Sequence, residues 1–465
     1  MSLNAIAASA LSALKTNSTA LSVVSNNVAN LNTEGYARRI VNQQTLAANG
    51  QLMGVDIASV QRVASEYLSR ETLSAGGAAA NYDTQAGFFD QLNGLLGAPG
   101  DNQSLATQIN NLASAYATAS QAPATGASGT AVMAALNNMA STVSSVSGTI
   151  SSLRTQVDQQ AVNAMAPANA LIKQVFTLNQ QIRTASAAGD QASALLDQRD
   201  TALANLSKVL DIRTSQQPDG SVSVSTTDGM NLVSSTYAQL SYSGGASNGS
   251  YGNITIQDIN PQSGQTIGVP QALDPHLQGG TLKGLIDMRD QVLGGLSASL
   301  GNLAQQMAQA FNAQANANAA YPPPSSLSGR DTGLLAGDAL NFTGQTTLAL
   351  SDSTGKLAKR IDVDFGAGTI SVNGSVVGAT GSTIGSFTAA LNSALGTDGS
   401  ASFTNGVLSL NATGGNGLVV QDDAANPSSR GGAGFSQFFG LNDVFKAQAP
   451  SITATGLSAS DASGL

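Results

Sequence analysis

The first thirty residues carry an unbroken heptad pattern of apolar positions. With one polar member, the stripe recurs at alternating spacings of four and three residues. Its positions are Leu3, Ala7, Ala10, Leu14, Asn17, Leu21, Val24, Val28 and Leu31. This is the a/d spacing of a helix that packs along a partner helix, and we expect the leucines and valines to form the packing surface. Because Ser, Thr and Asn flank the stripe instead of charged pairs, residues 1–35 are predicted to be at most marginally helical without that partner.

An asparagine-rich segment, NNVANLNTEGYARR (26–39), is predicted to end this helix. Asn30 and Asn32 can bond the local backbone, and Gly35 can adopt a positive φ. Tyr36 supplies an amphipathic anchor after the turn. The next stretches, RRIVNQQTLA and GVDIASVQRVAS, alternate apolar and polar residues and are predicted strands.

Long helices are predicted after the strands. The amphipathic stretches are 83–97, 104–120 and 191–210. A second heptad register starts at Leu136, after a loop at 123–129, and slips by one residue at Ala161 before it resumes. Such a slip locally unwinds a supercoil, and Pro167 is expected to kink the helix nearby.

Short alternating segments separated by Gly, Asn and Asp fill residues 211–277 and 331–433 and predict β structure. Helix returns at 282–317 and is expected to fold back onto the helical block. YPPPSSLSGR (321–330) is predicted to be a stiff linker. One helix, 384–395, interrupts the second β-rich segment.

These patterns predict a multidomain α+β protein with a coiled-coil or bundle stem of long helices and inserted β-rich outer domains. The predicted segments are 1–65 (N-terminal helix and strands), 66–210 (helical stem), 211–277 (β-rich insertion), 278–320 (helix returning to the stem), 331–433 (outer β-rich domain with one helix) and 434–465 (return segment).

Composition favours a chain that packs against copies of itself or relatives. Only 10% of the 465 residues are charged, against about 25% in ordinary soluble domains. The net charge of −9 argues against nucleic acid or anionic lipid as a partner. No apolar run approaches the length of about 18 residues that suggests a membrane span. The start of the chain lacks the basic region of a cleaved signal peptide, since Lys15 comes too late.

Residues suited to catalysis are scarce. The chain has no cysteine and one histidine, His276, which we interpret as an exposed loop residue. The three glutamates are not spaced to share one helix face. Asp190, Asp197 and Asp200 lack the spacing of a calcium loop and are interpreted as solvated helix charges. We therefore expect no enzymatic activity, no metal and no cofactor.

The segment SNNVANLNTEGYARR (25–39) resembles the N-terminal signature of bacterial flagellar axial proteins, the class of rod, hook and hook-associated subunits. The positions that carry the resemblance are Asn27, Ala29, Asn30, Asn32, Thr33, Gly35, Tyr36 and Arg38. By itself this signature identifies the class and leaves a rod or hook protein open.

Three further stretches resemble one family of that class, the hook-associated protein 1 or hook–filament junction proteins (FlgK family). They are LLDQRDTALANLS (195–207), GGTLKGLIDMRDQVL (279–293) and FFGLNDVF (438–445). Rod and hook proteins lack the last motif, whose residues are Phe438, Phe439, Gly440, Leu441, Asn442 and Asp443. We expect Phe438 to be a buried anchor and Asn442 or Asp443 to cap a helix or turn.

The resemblance implies a structural subunit of the extracellular flagellum, exported through the flagellar type III apparatus with a chaperone and without a cleaved signal. Copies would form a ring between the hook subunits and the next hook-associated protein on the filament side. Terminal helices would line the channel as coiled coils.

The family pattern also ends in a long heptad helix, and none follows Phe445 here. On that pattern the C-terminal axial helix is missing, and residues 1–465 are expected to present half of a coiled coil. A secreted adhesin that binds a ligand through its β-rich domains is the alternative from another class.

Overall fold

The computed structural model describes residues 3–446, apart from 49–50, 98–100, 103, 122–125, 190, 248–249, 321 and 353. The chain divides into two compact units. The first unit comprises residues 1–107 and 144–298, and the second comprises residues 108–143 and 299–465. Each unit combines helices with β-sheet, so the predicted multidomain α+β class is confirmed.

Within the described residues the helices are α1 (Leu3–Ala29), α2 (Glu66–Leu96), α3 (Leu105–Gln121), α4 (Gly126–Ala187), α5 (Ser193–Val209), α6 (Gly280–Ile286), α7 (Leu293–Asn316), α8 (Ile384–Leu395) and α9 (Phe435–Phe439). A 3₁₀ turn spans Asp274–His276, and a π-helical turn, Asp287–Val292, separates α6 from α7.

The strands are β1 (Arg39–Ala48), β2 (Gln51–Arg62), β3 (Arg213–Gln216), β4 (Val222–Ser225), β5 (Asn231–Val233), β6 (Tyr237–Ser241), β7 (Ala246–Ser247), β8 (Ser250–Tyr251), β9 (Thr255–Ile259), β10 (Thr266–Ala272), β11 (Ser326–Ser328), β12 (Gln345–Ser351), β13 (Leu357–Asp364), β14 (Thr369–Val372), β15 (Ser375–Ala379), β16 (Gly399–Thr404), β17 (Val407–Ala412) and β18 (Gly417–Asp422).

The helices of the first half follow the predicted periodicity with two extensions. Helix α2 begins at Glu66 instead of near residue 83, because the Ser65 hydroxyl accepts a hydrogen bond from the Leu68 amide and Glu66 lies in the positive first turn. Helix α4 begins at Gly126, inside the predicted loop, and continues through Pro167 to Ala187.

The first unit has one hydrophobic core shared by helices and sheet. Strands β3, β4, β5, β6, β9 and β10 form a sheet in the order β10-β9-β6-β5-β4-β3. Buried Val224 and Leu240 on this sheet belong to the same cluster as Ile172 of α4 and Leu206 of α5. The β-rich segment 211–277 is therefore part of the helical unit's core, whereas we expected an insertion projecting from the stem.

The π-helical turn places an arginine in the interior of the first unit. Arg289 is only 1% exposed, and its guanidinium lies 2.7 Å from Asp290, 3.6 Å from Asp274 and 3.8 Å from Asp158. Burial alone would lower the pKa of Arg289, but the hydrogen bond and charge of Asp290 outweigh it and raise that pKa. Burial raises the pKa of the Asp274 carboxyl.

The second unit contains a three-stranded sheet, β11-β17-β16, and a five-stranded sheet, β15-β14-β13-β12-β18. Helix α8 occupies the predicted residues, and Thr383 and Ser386 cap it reciprocally. Phenylalanines dominate the core, with Phe387, Phe435 and Phe439 fully buried.

Two predicted boundaries of the second β-rich domain are wrong. Residues 326–328, assigned to a linker, form β11 and pair with β17, because Leu327 is an apolar residue between two serines and buries its side chain in the core. Residues 435–441, assigned to a return segment, contribute Phe435, Phe439 and Leu441 to that same core. The predicted segment after Lys446 lies outside the described residues.

None of the helices in the described part of the chain combines the length and apolar character needed to cross a membrane.

Candidate assembly interface

Helix α1 exposes the apolar stripe that the heptad pattern predicted. Leu14 and Leu21 are each 68% exposed, and Val24, Val28 and Leu31 are also exposed. The side chain of Leu3 lies outside the described part of the structure. Large apolar side chains exposed along one stripe indicate a surface that another molecule covers.

Small polar residues of α1 form hydrogen bonds to the β1–β2 hairpin. The β1–β2 hairpin packs against α1, where the Thr16 side chain is buried and its hydroxyl lies 3.3 Å from the Val55 carbonyl oxygen. The Val55 amide donates to the Ser12 hydroxyl over 3.2 Å. We call α1 together with this hairpin, residues 3–62, the N-terminal arm.

Asn27 is the residue of the N-terminal signature that joins α1 to the hairpin. Its Nδ2 donates to the Arg39 carbonyl oxygen over 2.8 Å, and its Oδ1 accepts from the Arg39 amide over 2.9 Å. The Tyr36 hydroxyl also donates to Asn27 Oδ1 over 2.9 Å. The Asn27 side chain therefore bonds both backbone groups of Arg39, as a neighbouring strand would, and holds the first residue of β1 against α1.

The other signature residues shape the turn after α1. Asn30 Nδ2 donates to the Asn26 carbonyl oxygen, and the Thr33 hydroxyl donates to Asn30 Oδ1. Gly35 adopts φ +81°, as predicted, and a Cβ there would overlap the Thr201 hydroxyl of α5. Asn32 is exposed in the turn.

Of the two arginines that end this segment, Arg39 and not the signature residue Arg38 makes side-chain contacts with the first unit. Arg38 is exposed, whereas the Arg39 guanidinium lies 3.0 Å from Asp197 and 5.2 Å from the Tyr36 ring. Period-two alternation along β1 points the two side chains to opposite faces, and only the face of Arg39 meets α5.

Two carboxylates of α5 anchor the hairpin and were wrongly interpreted as solvated charges. Arg62 of β2 bonds Asp197 over 2.7 Å and Asp200 over 2.5 Å. Burial alone would lower the pKa of Arg62, but hydrogen bonds and charges from Asp200 and Asp197 outweigh it and raise that pKa. Asp190 lies outside the described residues.

The remaining charged residue of the LLDQRD stretch is buried beneath these pairs. Arg199 donates from Nη1 to the Gly220 carbonyl oxygen over 2.8 Å and to Asn179 Oδ1 over 3.2 Å. Burial lowers the pKa of Arg199 despite the nearby charge of Asp200. The motif thus serves both the interior of the first unit and the base of the N-terminal arm.

The FFGLNDVF motif packs into the core of the second unit and bonds to helix α7. Phe439 is fully buried, whereas Phe438, the predicted anchor, is half-buried and carries the Arg430 guanidinium 4.7 Å above its ring. Gly440 ends α9 with φ +67°, and a Cβ there would overlap Arg330 and Asp443. Leu441 returns to the core.

Asn442 and Asp443 bond to the end of α7 through one buried asparagine. Asn316 Oδ1 accepts from the Ser436 hydroxyl over 2.7 Å and from the Asn442 amide over 3.0 Å. Asn316 Nδ2 donates to Asp443 Oδ1 over 2.7 Å, and Arg330 donates to the same oxygen over 3.0 Å. The expected capping role is replaced by these long-range bonds.

One turn earlier, Asn312 repeats this arrangement. Its Oδ1 accepts from the Val444 and Phe445 amides, and its Nδ2 donates to the Phe445 carbonyl oxygen. Sequence reasoning missed Asn312 and Asn316, although two asparagines four residues apart near the end of an apolar-patterned helix are a usable signal.

Residues suited to chemistry remain scattered. Among the described residues, no group of three or more His, Asp or Glu side chains is placed to hold a metal ion. His276 is exposed in its 3₁₀ turn, with Nδ1 3.6 Å from Asp228.

Comparison with known families identifies the class of protein. The family described as "Flagellar hook-associated protein FlgK helical domain" matches residues 89–321, which is half of the chain. The chain belongs to the FlgK family. A second match, to the "Flagella basal body rod protein" family over residues 8–36, covers most of the heptad helix and the N-terminal signature as far as Tyr36.

FlgK relatives from three bacteria are similar along the chain. "Flagellar hook-associated protein 1" of Salmonella typhimurium is 29% identical over 313 residues, which are 66% of this chain and 55% of that protein. The Escherichia coli counterpart is 27% identical over 317 residues, which are 66% of this chain and 56% of that protein. The Bacillus subtilis counterpart is 24% identical over 229 residues, which are 47% of this chain and 45% of that protein. The chain spans about half the length of these relatives.

A solved structure, "the flagellar hook junction protein FlgK from Burkholderia pseudomallei", is similar with a TM-score of 0.48 and 24% identity. The match covers 81% of this chain and 66% of that one.

Proposed function

We propose that this chain is a structural subunit of the bacterial flagellum that joins the hook to the filament. Membership of the FlgK family supports the flagellar role, and the names of the matched relatives support the position next to the hook. The observation that carries the proposal is the exposed apolar stripe of α1, held on a base of polar anchors.

The proposed partners follow from this role. Copies of the chain pack as a ring, with hook subunits on one side and the next hook-associated protein on the other. The flagellar type III apparatus and a chaperone deliver the subunit to the cell exterior without a cleaved signal. The subunit catalyses no reaction, binds no nucleic acid and does not insert into a membrane.

A rod or hook protein is the nearest alternative, because the rod-protein match over residues 8–36 covers most of α1 and continues to Tyr36. The family match over residues 89–321 and the resemblance of the FFGLNDVF motif (438–445) to the junction proteins favour the junction role over this alternative.

Deletion of the gene for this chain in its source bacterium tests the proposal. We expect cells with complete hooks, no attached filaments and filament subunits in the medium, and we expect the wild-type gene to restore attachment. Electron microscopy shows the hooks and attached filaments, and immunoblots measure filament subunits in the medium. Cells that lack hooks would support the rod or hook alternative, and normal filaments would contradict a flagellar junction role altogether.

A further inference from the structure

The open end of the β1–β2 hairpin places two like charges opposite each other. Arg39 of β1 is the register partner of Arg62 of β2. Like charges at directly opposed positions of an antiparallel pair destabilise it. The hairpin alone therefore has a repulsive pair at the point where it joins the rest of the chain.

A single carboxylate of α5 lies between these two arginines. Asp197 Oδ2 is 3.0 Å from Arg39, and Oδ1 is 2.7 Å from Arg62. The Ala37 amide donates to Oδ1 over 3.4 Å. The Arg62 and Asp197 side chains are each 14% exposed, so salt screens this contact less than a surface pair. When the hairpin docks on α5, Asp197 therefore replaces the repulsion between Arg39 and Arg62 with an ion-pair bridge between the two strands.

The bridge continues to helix α1. Asn27 of α1 bonds both backbone groups of Arg39, and the Arg39 side chain bonds Asp197. This gives a continuous path of hydrogen bonds from α1 to α5 through one residue of the hairpin. Of the two opposed arginines, Asp200 pairs with Arg62, and it is more exposed than Asp197, so it adds to the path without bridging the strands.

We propose that Asp197 is the positioning residue of the N-terminal arm, and that its carboxylate closes the hairpin and holds α1 at one place on the first unit. The consequence for flagellar assembly rests on the proposed function; the positioning itself does not.

Hydrogen exchange of the purified full chain at fixed salt tests the positioning. In Asp197→Asn we expect exchange of the residue 39–62 amides to rise about tenfold, because loss of one member of a partly buried pair leaves the others uncompensated. Asp200→Asn should give a smaller rise. Asp219→Asn is the matched control, since Asp219 pairs with Arg183 3.7 Å away on an exposed surface of the same unit, and it should leave the arm unchanged. Unaltered exchange in β4 and β6 shows that the unit is folded.

A double variant shows whether Asp197→Asn acts by exposing the repulsion between Arg39 and Arg62 or only by removing a hydrogen bond. Arg39→Gln added to Asp197→Asn removes the opposed charges, so exchange in the hairpin should fall below that of Asp197→Asn alone. Equal or faster exchange in the double variant, or an Asp197→Asn arm as protected as that of Asp219→Asn, would overturn the proposal.

Filament attachment in cells that carry Asp197→Asn separates this proposal from the proposed function. A loosened arm with reduced attachment supports both. A loosened arm with normal attachment retains the positioning role of Asp197 and counts against the assembly role of the arm.

Discussion

Single asparagines connect distant parts of this chain because one amide side chain can both donate and accept. Asn27 bonds both backbone groups of Arg39. Asn316 joins Ser436, Asn442 and Asp443 to α7. In a chain with so few charged residues, such amides provide specific long-range links.

Asn27→Ala should loosen the N-terminal arm while leaving the first unit folded. It removes three hydrogen bonds of 2.8–2.9 Å, and we expect a local loss of about 1–3 kcal/mol. Hydrogen exchange of the Arg39 amide measures it. Asn26→Ala, at an exposed neighbouring side chain, is the control. Equal protection in both variants would contradict the role given to Asn27.

Phe439→Ala should destabilise the second unit by about 3–5 kcal/mol, as expected for truncating a fully buried phenylalanine. Phe438→Ala should cost less, because its ring is half-buried. Denaturant-dependent hydrogen exchange in β12 reports the second unit alone. A larger loss for Phe438→Ala would restore the original expectation that Phe438 is the anchor.

Residue patterns predicted the positions that depend on local structure. The positive φ of Gly35 follows from backbone sterics and the apolar stripe of α1 from heptad spacing, both of which neighbouring residues determine. Contacts between residues far apart in the chain could not be predicted in this way. Asp197 bonds Arg39 and Arg62, 158 and 135 residues away, and spacing within α5 alone carries no information about them.

At the scale of elements, α1 is a helix whose apolar stripe has no cover within its described contacts. The first turn of α1 has no acidic residue and its last turn has no basic residue. Its stability must therefore come from packing.

In dilute monomer we expect residues 3–29 to be cleaved by a nonspecific protease well before the helices of the first-unit core. The reason is that the stripe of α1 has no partner there. Time-resolved proteolysis with mass spectrometry measures this order. Resistance of residues 3–29 equal to that of α5 would contradict it.

The π-helical turn is the second element with a specific test. Arg289→Met should destabilise the first unit by about 3–5 kcal/mol at neutral pH, because it leaves buried carboxylates unpaired. Burial raises the pKa of Asp274 above 3.8, and loss of the cation raises it further. The folded state then binds that proton more tightly than the unfolded state, so the deficit should shrink as pH falls towards 3.8. Denaturation of wild type and Arg289→Met across this range checks the sign, and a deficit that grows in acid would contradict it.

For the whole molecule, periodicity predicted the class of fold and most helices and strands. It predicted less well where the elements and domains begin and end. A three-residue strand such as β11 has too few positions to show alternation, so YPPPSSLSGR resembled a linker. The grouping into two units depends on which apolar faces share a core, and Val224 with Ile172 or Leu327 with Phe439 cannot be paired from spacing alone.

The central claim is that the exposed stripe of α1 is an assembly surface. It is tested most directly by filament attachment in cells whose only copy of the gene carries Leu14→Glu and Leu21→Glu. A matched control is Ser22→Glu, an exposed position about 100° around the helix from Leu21. We expect the leucine variant to be exported but to leave hooks bare and filament subunits in the medium, because two charges would be buried between packed helices. The Ser22→Glu cells should keep their filaments. Normal filaments on the Leu14→Glu, Leu21→Glu cells would contradict the claim.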